Sequence, residues 1–245
     1  MTDARAAEYV RSLAVPVYDT GPDGRLKLGA ALRMAEVASE AHVELLNAGY
    51  GELRRRLGMV FVAVSTRVRI ARMPARGERI TVKTHPRGLS RAEFYRDFLF
   101  YDAAEKPLLS VMQTTVLANA ETHRPRRPQA IRALGVEINP ETAVPREERM
   151  ERLAVPEGLP AAGERRVFRS DLDANGHMNN CVYGDIVSDF LPEDVRAAAR
   201  EVQIRYAAET RLGETLAIRA GRAEGAFLMV GETARGVRFT ARVRG

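Results

Sequence analysis

Two stretches of this chain return later in the same order, and that repeat limits the fold more than any other feature. Asp19-Thr20-Gly21-Pro22-Asp23-Gly24 corresponds to Asp171-Leu172-Asp173-Ala174-Asn175-Gly176, and Pro74-Ala75-Arg76-Gly77-Glu78-Arg79-Ile80 corresponds to Thr210-Arg211-Leu212-Gly213-Glu214-Thr215-Leu216. Either match alone carries little weight, because Gly-Glu in a turn is common. Both in sequence, each within a block that passes from a helix into strands, read as a duplication.

The first block opens with a helix. From Lys27 to Ala48 the apolar positions Leu28, Leu32, Met34, Ala35, Val37, Ala38, Val43 and Leu46 recur at mostly helical spacing. Met59 to Ile70 then alternates around Val60, Val62, Val64, Val68 and Ile70, Pro74 and Gly77 mark a turn, and strand patterns follow at Arg79 to Lys83, Phe94 to Tyr101 and Leu108 to Leu117. The second block repeats the order: a short strand at Arg166 to Ser170, a loop ending at His177, a helix from about Asn179 to Phe190 stopped by Pro192, and strands near Glu201 to Tyr206, Glu214 to Ala220, Ala226 to Gly231 and Val237 to Val243. Between the blocks, Thr122 to Pro160 carries prolines at 125, 128, 140, 145, 156 and 160 and reads as a linker. The expected organisation is a first domain at 1–128, a linker at 129–160 and a second domain at 161–245. The fold class is α+β, each half a long helix wrapped by a curved antiparallel sheet. Such a unit of about 100 residues buries its own faces inefficiently, so the two halves pair and leave a seam in which a long apolar ligand can lie.

Composition excludes more than it selects. With 45% apolar and 29% charged residues the chain is an ordinary globular protein. No stretch approaches about 18 uninterrupted apolar residues, and Met1 to Val10, with Asp3, Arg5 and Glu8, lacks the apolar core of a signal peptide. A cytoplasmic protein with no membrane partner is expected. A single cysteine, Cys181, rules out an internal disulfide framework, and histidines at 42, 85, 123 and 177 are too scattered for a zinc site, so neither metal nor cofactor is expected. Thirty-eight Lys plus Arg against thirty-two acids give a net charge of +6, with runs at Arg54-Arg55-Arg56 and Arg124 to Arg127. That balance suits an acidic partner (nucleic acid, coenzyme A phosphates or an acidic carrier protein) or simply a solvated basic surface. The aromatics do not interleave with the basic runs as a nucleic-acid groove requires.

The densest set of functional side chains is Asp171-Leu172-Asp173-Ala174-Asn175-Gly176-His177-Met178-Asn179-Asn180. Asp171 and Asn180 read as ordinary helix caps. The combination Asp173, Asn175, Gly176 and His177 exceeds what capping needs, since a cap gains nothing from a histidine beside it. A helix beginning at this loop would aim unpaired N–H groups at a carbonyl and hold its oxyanion.

The loop resembles that of the plant and bacterial acyl-ACP thioesterases, which are double hot-dog proteins. Their second half carries Asp-x-Asn-x-His-x-Asn-Asn, which stands here as Asp173-Ala174-Asn175-Gly176-His177-Met178-Asn179-Asn180, with the following tyrosine matched by Tyr183. The same string overlaps the looser Asp-x-x-Gly motif of single hot-dog acyl-CoA thioesterases, whose catalytic aspartate corresponds to Asp173. The likeness extends to Gly24-Arg25-Leu26-Lys27-Leu28, to Ser65-Thr66-Arg67 with Arg72-x-Pro74-x-x-Gly77-Glu78, and to Thr122-His123-Arg124-Pro125. Late in the chain the family has a tyrosine, a glutamate three positions on and, in plant members, a cysteine; here these are Tyr206, Glu209 and Thr210. Thr210 argues against a thiol nucleophile, and Cys181 reads as packing. The chain also has no Trp, a further departure from the family.

The resemblance implies hydrolysis of fatty acyl-ACP to free fatty acid and carrier protein, by a monomer or homodimer whose partner is the acidic acyl carrier protein. Asp173 is expected to act at the carbonyl carbon as nucleophile or as base for water. Asn175 and the helix-start N–H groups would hold the oxyanion, while His177 and Glu209 position water and move the proton. The first half has Arg25 in place of His177 and Met73 in place of Glu209, so it is expected to shape the acyl pocket, with Leu28, Leu32 and Met34 lining it or simply packing in the core. The alternatives are an acyl-CoA thioesterase and a hot-dog protein that binds acyl chains without hydrolysing them.

Overall fold

The computed structural model describes residues 8–136, 144–154 and 156–245; the stretches 1–7, 137–143 and 155, which include part of the expected linker, lie outside the described residues. In chain order the elements are β1 (Tyr9–Ala14), α1 (Leu28–Leu45), α2 (Tyr50–Leu57), β2 (Met59–Ile70), β3 (Arg79–Ser90), β4 (Glu93–Asp102), β5 (Pro107–Asn119), β6 (Ala161–Arg166), α3 (Val182–Asp189), α4 (Glu193–Ala198), β7 (Glu201–Tyr206), β8 (Thr215–Ala223), β9 (Ala226–Thr233) and β10 (Gly236–Arg244). Valine-rich and aromatic alternation makes the long strands, because such side chains pack well on a pleated, half-buried surface.

The ten strands form one antiparallel sheet in the order β1-β3-β4-β5-β2-β7-β10-β9-β8-β6. The halves join where β2 pairs with β7, from Ser65↔Arg205 to Arg69↔Glu201. Bulges at Ala63/Ser65, Pro86/Gly88 and Val237/Phe239 interrupt the ladders, and bulges of this kind bend strands and increase their twist. Helix α1 buries Leu28, Leu32, Ala35 and Ala38 in the same apolar core as Val68, Val82, Phe98 and Val111, and Tyr183, Ile186 and Val187 of α3 belong to that core too, with Ile204, Ile218 and Phe239. One core therefore spans both halves.

The duplication is visible bond by bond. Gly21 N–H donates to the Arg25 carbonyl at 2.8 Å as Asp173 N–H does to His177 at 2.9 Å; Leu26 N–H donates to Pro74 as Met178 does to Thr210, both at 2.8 Å; Lys27 N–H donates to Asp19 at 2.9 Å as Asn179 does to Asp171 at 2.8 Å. The Gly-Glu turns correspond as well. Gly77 and Gly213 have φ of +74° and +79°, a conformation that glycine adopts without steric cost. Glu78 then accepts the Ala75 N–H at 2.8 Å, and Glu214 the Arg211 N–H at 2.7 Å.

Several elements depart from the sequence expectation. The first helix ends at Leu45 because Asn47, at φ +53°, closes it, and a separate helix α2 follows. The second-half helix is short, at eight residues, and begins at Val182 rather than near Asn179. The strand expected at Arg166 to Ser170 lies earlier, at β6, since Asp171 captures the Phe168 N–H at 2.8 Å and tightens Arg169–Asp171 into a 3-10 turn. Strand β1 carries no clear alternation because it is an edge strand with Val10 half exposed. The described residues of the expected linker are packed on the rest of the chain: Ile131 and Leu134 lie with Leu53 of α2 and Leu117, while on the sheet face away from α1 Val144 packs on Tyr95 and Met112, Arg67 donates to the Glu148 carbonyl at 2.9 Å, Gln203 donates to the Glu151 carbonyl at 2.7 Å, and Leu159 packs on Leu228 and Val230.

Helices α1 and α3 cross at glycines. A Cβ on Gly184 would sit 3.0 Å from Leu32 Cδ1 and 3.1 Å from the Gly29 Cα. Arg33 ties the crossing from outside, to Asp19 at 3.2 Å and Asp185 at 3.3 Å. Gly184→Ala is therefore expected to destabilise the protein by about 1–3 kcal/mol. Gly51→Ala, where a Cβ meets nothing within 4 Å, should cost nothing. Urea unfolding measures both, and equal midpoints for the two variants would refute the close crossing.

Candidate active site

The loop from Asp171 to Asn179 is a tight hairpin. Asp173 N–H donates to the His177 carbonyl, Gly176 N–H donates back to the Asp173 carbonyl at 3.1 Å, and Leu172 pairs with Met178. Gly176, at φ +77°, makes the reversal possible. The Asp173 carboxylate organises this turn: Oδ1 accepts the N–H groups of Asn175 at 2.8 Å and His177 at 3.3 Å, and Oδ2 lies 3.4 Å from Asn175 Nδ2.

The hairpin is then fastened to the segment after β7. His177 pairs with Arg211, and Met178 N–H bonds to Thr210, which sets Glu209 beside the hairpin. His177 Nε2 lies 3.0 Å from Glu209 Oε2, and Arg211 Nη2 reaches the same oxygen at 3.2 Å. The other carboxylate oxygen is held by His123 Nδ1 at 2.8 Å, a residue of the first half. A second first-half group arrives from α2, where Tyr50 donates to Asn175 Oδ1 at 2.6 Å and Arg54 supports the Tyr50 hydroxyl at 2.7 Å.

All four residues singled out from sequence thus belong to one bonded cluster. His177 and Glu209 pair through their side chains, while Asp173 meets Asn175 and the His177 backbone. Tyr50, Arg54 and His123 went unassigned. His123 did stand in the Thr122-His123-Arg124-Pro125 string, but Tyr50 lies in a helix that periodicity did not separate from α1. Several N–H groups at the helix start are already taken: that of Asn179 bonds to Asp171 at 2.8 Å, that of Met178 to Thr210, and that of Cys181 to Asn179 Oδ1 at 2.7 Å. The capping bond comes from Asn179 rather than Asn180.

In the equivalent first-half hairpin, Gly21 stands at the position of Asp173, Asp23 at Asn175 and Arg25 at His177. Arg25 Nη1 donates to the Met73 carbonyl at 3.3 Å where the second half has the His177–Glu209 pair. The backbone is shared and the chemistry is not.

The acyl-ACP thioesterase N-terminal domain model matches residues 6–132, and the C-terminal domain model matches 161–236. The chain belongs to the acyl-ACP thioesterase family. It is 26% identical over 198 residues to the chloroplastic dodecanoyl-[acyl-carrier-protein] hydrolase of Cinnamomum camphora, covering 76% of this chain and 52% of that one, and equally to that of Umbellularia californica. The chain spans about half the length of the curated relatives it matches. Its fold is similar to that of an acyl-ACP thioesterase from Bacteroides thetaiotaomicron, with a TM-score of 0.85 at 19% identity over 100% of this chain and 99% of the other. The 12:0-ACP thioesterase of Umbellularia californica follows at TM-score 0.83 and 20% identity, over 97% and 96%. The fold is the family's double hot-dog.

For an acyl-ACP thioesterase-family chain, the absent cysteine matters. Thr210 is fully buried with its hydroxyl 2.7 Å from the Tyr183 hydroxyl, so it braces the core. Cys181 is buried, and desolvation together with Glu36, 3.1 Å away, pushes its thiol well above the usual range. A group held as a thiol in this way is a poor nucleophile.

The turn under Glu209 depends on Glu214, whose carboxylate takes Arg235 at 2.6 and 2.7 Å and the Arg211 N–H. Chiefly through the Arg235 hydrogen bonds, its pKa falls from 4.5 to about 2. A depressed carboxylate pKa stabilises the fold above the unfolded value and loses that effect as pH falls through the folded one. Between pH 4.5 and 2 the urea midpoint of the wild type should therefore fall more steeply than that of Glu214→Gln. At pH 7 the variant should be the less stable of the two. Parallel profiles would remove the role assigned to this carboxylate.

Proposed function

We propose that this chain hydrolyses fatty acyl thioesters borne by acyl carrier protein, releasing free fatty acid and the carrier thiol. The observation that carries this reading is the His177–Glu209 pair set beside the Asp173–Asn175 hairpin on a thioesterase-family frame. In this reading 161–245 is the catalytic half, 1–128 the acyl-binding half, and 129–160 the connection.

The thioester carbonyl is already activated, so the site must deliver an oxygen nucleophile, steady the oxyanion and protonate the leaving sulfur. Asp173 acts at the carbonyl carbon, as base for water or as a nucleophile whose acyl anhydride water then hydrolyses; two backbone N–H groups hold Oδ1, while among the described residues Oδ2 has the long contact to Asn175 Nδ2. Tyr50, by donating to Asn175 Oδ1, fixes the amide so that Nδ2 is the donor offered to the oxyanion. This side-chain donor takes the part that the helix-start N–H groups were expected to play. His177, held through Nε2 by Glu209, passes a proton to the sulfur as the C–S bond breaks.

The acyl chain has its seat between α1 and the first-half strands. There a cavity of about 10 Å³ is lined by Leu32, Ala35, Phe98 and Val111 and by the polar side chains of Glu36, Thr66, Gln113 and Asn180. That space admits about one water, so the chain enters by parting α1 from the sheet. A wider groove of about 470 Å³, lined mostly by apolar residues such as Ile70, Leu99, Leu108 and Leu109 and also by Arg69 and Arg200, lies at the start of β5, away from Asp173 and Glu209, and has no part in this scheme.

Two arginine runs far apart in sequence meet beside the site, which favours an acidic protein carrier. Arg54, Arg55 and Arg56 on α2 and Arg124, Arg126 and Arg127 after β5 are all exposed. They are joined by Arg56 donating to the Ala133 carbonyl at 3.1 Å and by Ala120 N–H donating to Gly58 at 2.9 Å. They border Tyr50 and His123, the residues that touch Asn175 and Glu209.

Asp173→Asn and Glu209→Gln should each lower kcat about 100-fold or more on acyl-ACP, with folding checked by circular dichroism. Full activity in both would end this mechanism. Arg124→Glu combined with Arg127→Glu should raise KM for acyl-ACP about tenfold. It should leave hydrolysis of the same acyl group on N-acetylcysteamine unchanged. Equal efficiency of the wild type on acyl-ACP and acyl-CoA would instead favour a coenzyme A thioesterase.

A further inference from the structure

We infer that His123 is a positioning residue: from the first half of the chain it holds one oxygen of Glu209 so that the other stays on His177. This rests on the thioesterase reading above for its consequence in catalysis, but its geometry stands alone. His123 Nδ1 lies 2.8 Å from Glu209 Oε1, His177 Nε2 lies 3.0 Å from Oε2, and the two rings stand edge-on with centroids 6.2 Å apart. A carboxylate accepts, so His123 carries its proton on Nδ1 and His177 on Nε2.

The need for such a hold comes from Arg211. Its guanidinium is 3.2 Å from Oε2, the oxygen His177 also uses, and a guanidinium fork favours taking both oxygens of a carboxylate. Were Oε1 released, the carboxylate could turn toward Arg211 and draw away from His177. Further cations approach the Glu209 backbone carbonyl rather than its side chain, Arg235 at 3.4 Å and Arg238 at 3.5 Å. His123 is thus the group that fixes Oε1.

The backbone at His123 points the same way. It has φ +54°, a left-handed conformation that is costly for a non-glycine residue. The turn is held there by Asn119: its side chain takes the Glu121 N–H at 3.1 Å, the Thr122 N–H at 2.8 Å and the Thr122 hydroxyl at 2.9 Å, and its carbonyl takes the His123 N–H at 3.0 Å. An over-determined turn that carries an imidazole to a carboxylate of the other half is the kind of place where local strain serves a site.

Two substitutions separate the imidazole from the backbone. His123→Gly removes the donor while easing the left-handed conformation, and His123→Asn tolerates that conformation while placing an amide N–H near the position of Nδ1. On acyl-ACP, His123→Gly should lower kcat about tenfold with KM changed less than twofold, and His123→Asn should recover most of the loss. A purely structural role would lower both variants together or neither. Nitrogen-15 NMR of the histidine rings supplies a readout that needs no turnover: neutral His123 should be the Nδ1–H tautomer in the wild type and revert to Nε2–H in Glu209→Ala. Wild-type kcat in His123→Gly, an Asn variant no better than Gly, or Nε2–H at His123 in the wild type would each overturn the inference. A wild type that hydrolyses no acyl thioester yet shows Nδ1–H at His123 would overturn the thioesterase reading and support the hold on Glu209.

Discussion

The antiparallel pairing of β2 with β7 is the interaction on which the rest of the structure depends. It turns two five-stranded units into one sheet, sets α1 and α3 side by side on a common face, and lets their glycines meet at Gly29 and Gly184. A unit of this size with one helix leaves apolar surface uncovered, and pairing removes that surface from water on both sides at once. The short second-half helix is tolerable for the same reason. Tyr183, Ile186 and Val187 share a core with first-half side chains and need not fill one alone.

Joining the halves also places first-half groups beside second-half chemistry. Tyr50 and His123 come from α2 and from the turn after β5, yet their partners are Asn175 and Glu209. The cluster is therefore built across the duplication. A hairpin of the Asp173 type can set its own carboxylate by local hydrogen bonds. It cannot fix the orientation of an amide or of a distant glutamate without groups approaching from outside it.

The two hairpins show how a repeat diverges. Most of their backbone bonds match, because those bonds hold the loop to the turn after the following strand and each half needs that closure. The side chains in the loop are free of that requirement. The first half has Gly21, Arg25 and Met73 where the second has Asp173, His177 and Glu209. Glu78 and Glu214 persist in both, each accepting a backbone N–H within its own turn and an arginine from outside it.

The sequence by itself determined the duplication, the long central strands and the identity of the loop that carries Asp173, Asn175 and His177. These are local matters: period-two alternation over Met59 to Ile70, a Gly-Glu turn twice, and a polar string too rich for a cap. Tertiary structure decided where α1 ends and where α3 begins, since Asn47 and the Asn179 cap act through backbone geometry that periodicity does not register. It also decided the fate of the helix-start N–H groups, taken by Asp171, Thr210 and Asn179, and the meeting of His123 with Glu209. Edge strands β1 and β6 were hidden or shifted because half-exposed positions carry little hydrophobic signal. A contact between residues 86 positions apart leaves no periodic trace in a single chain. It exists only because the β2–β7 pairing brings the end of β5 against the turn that follows β7.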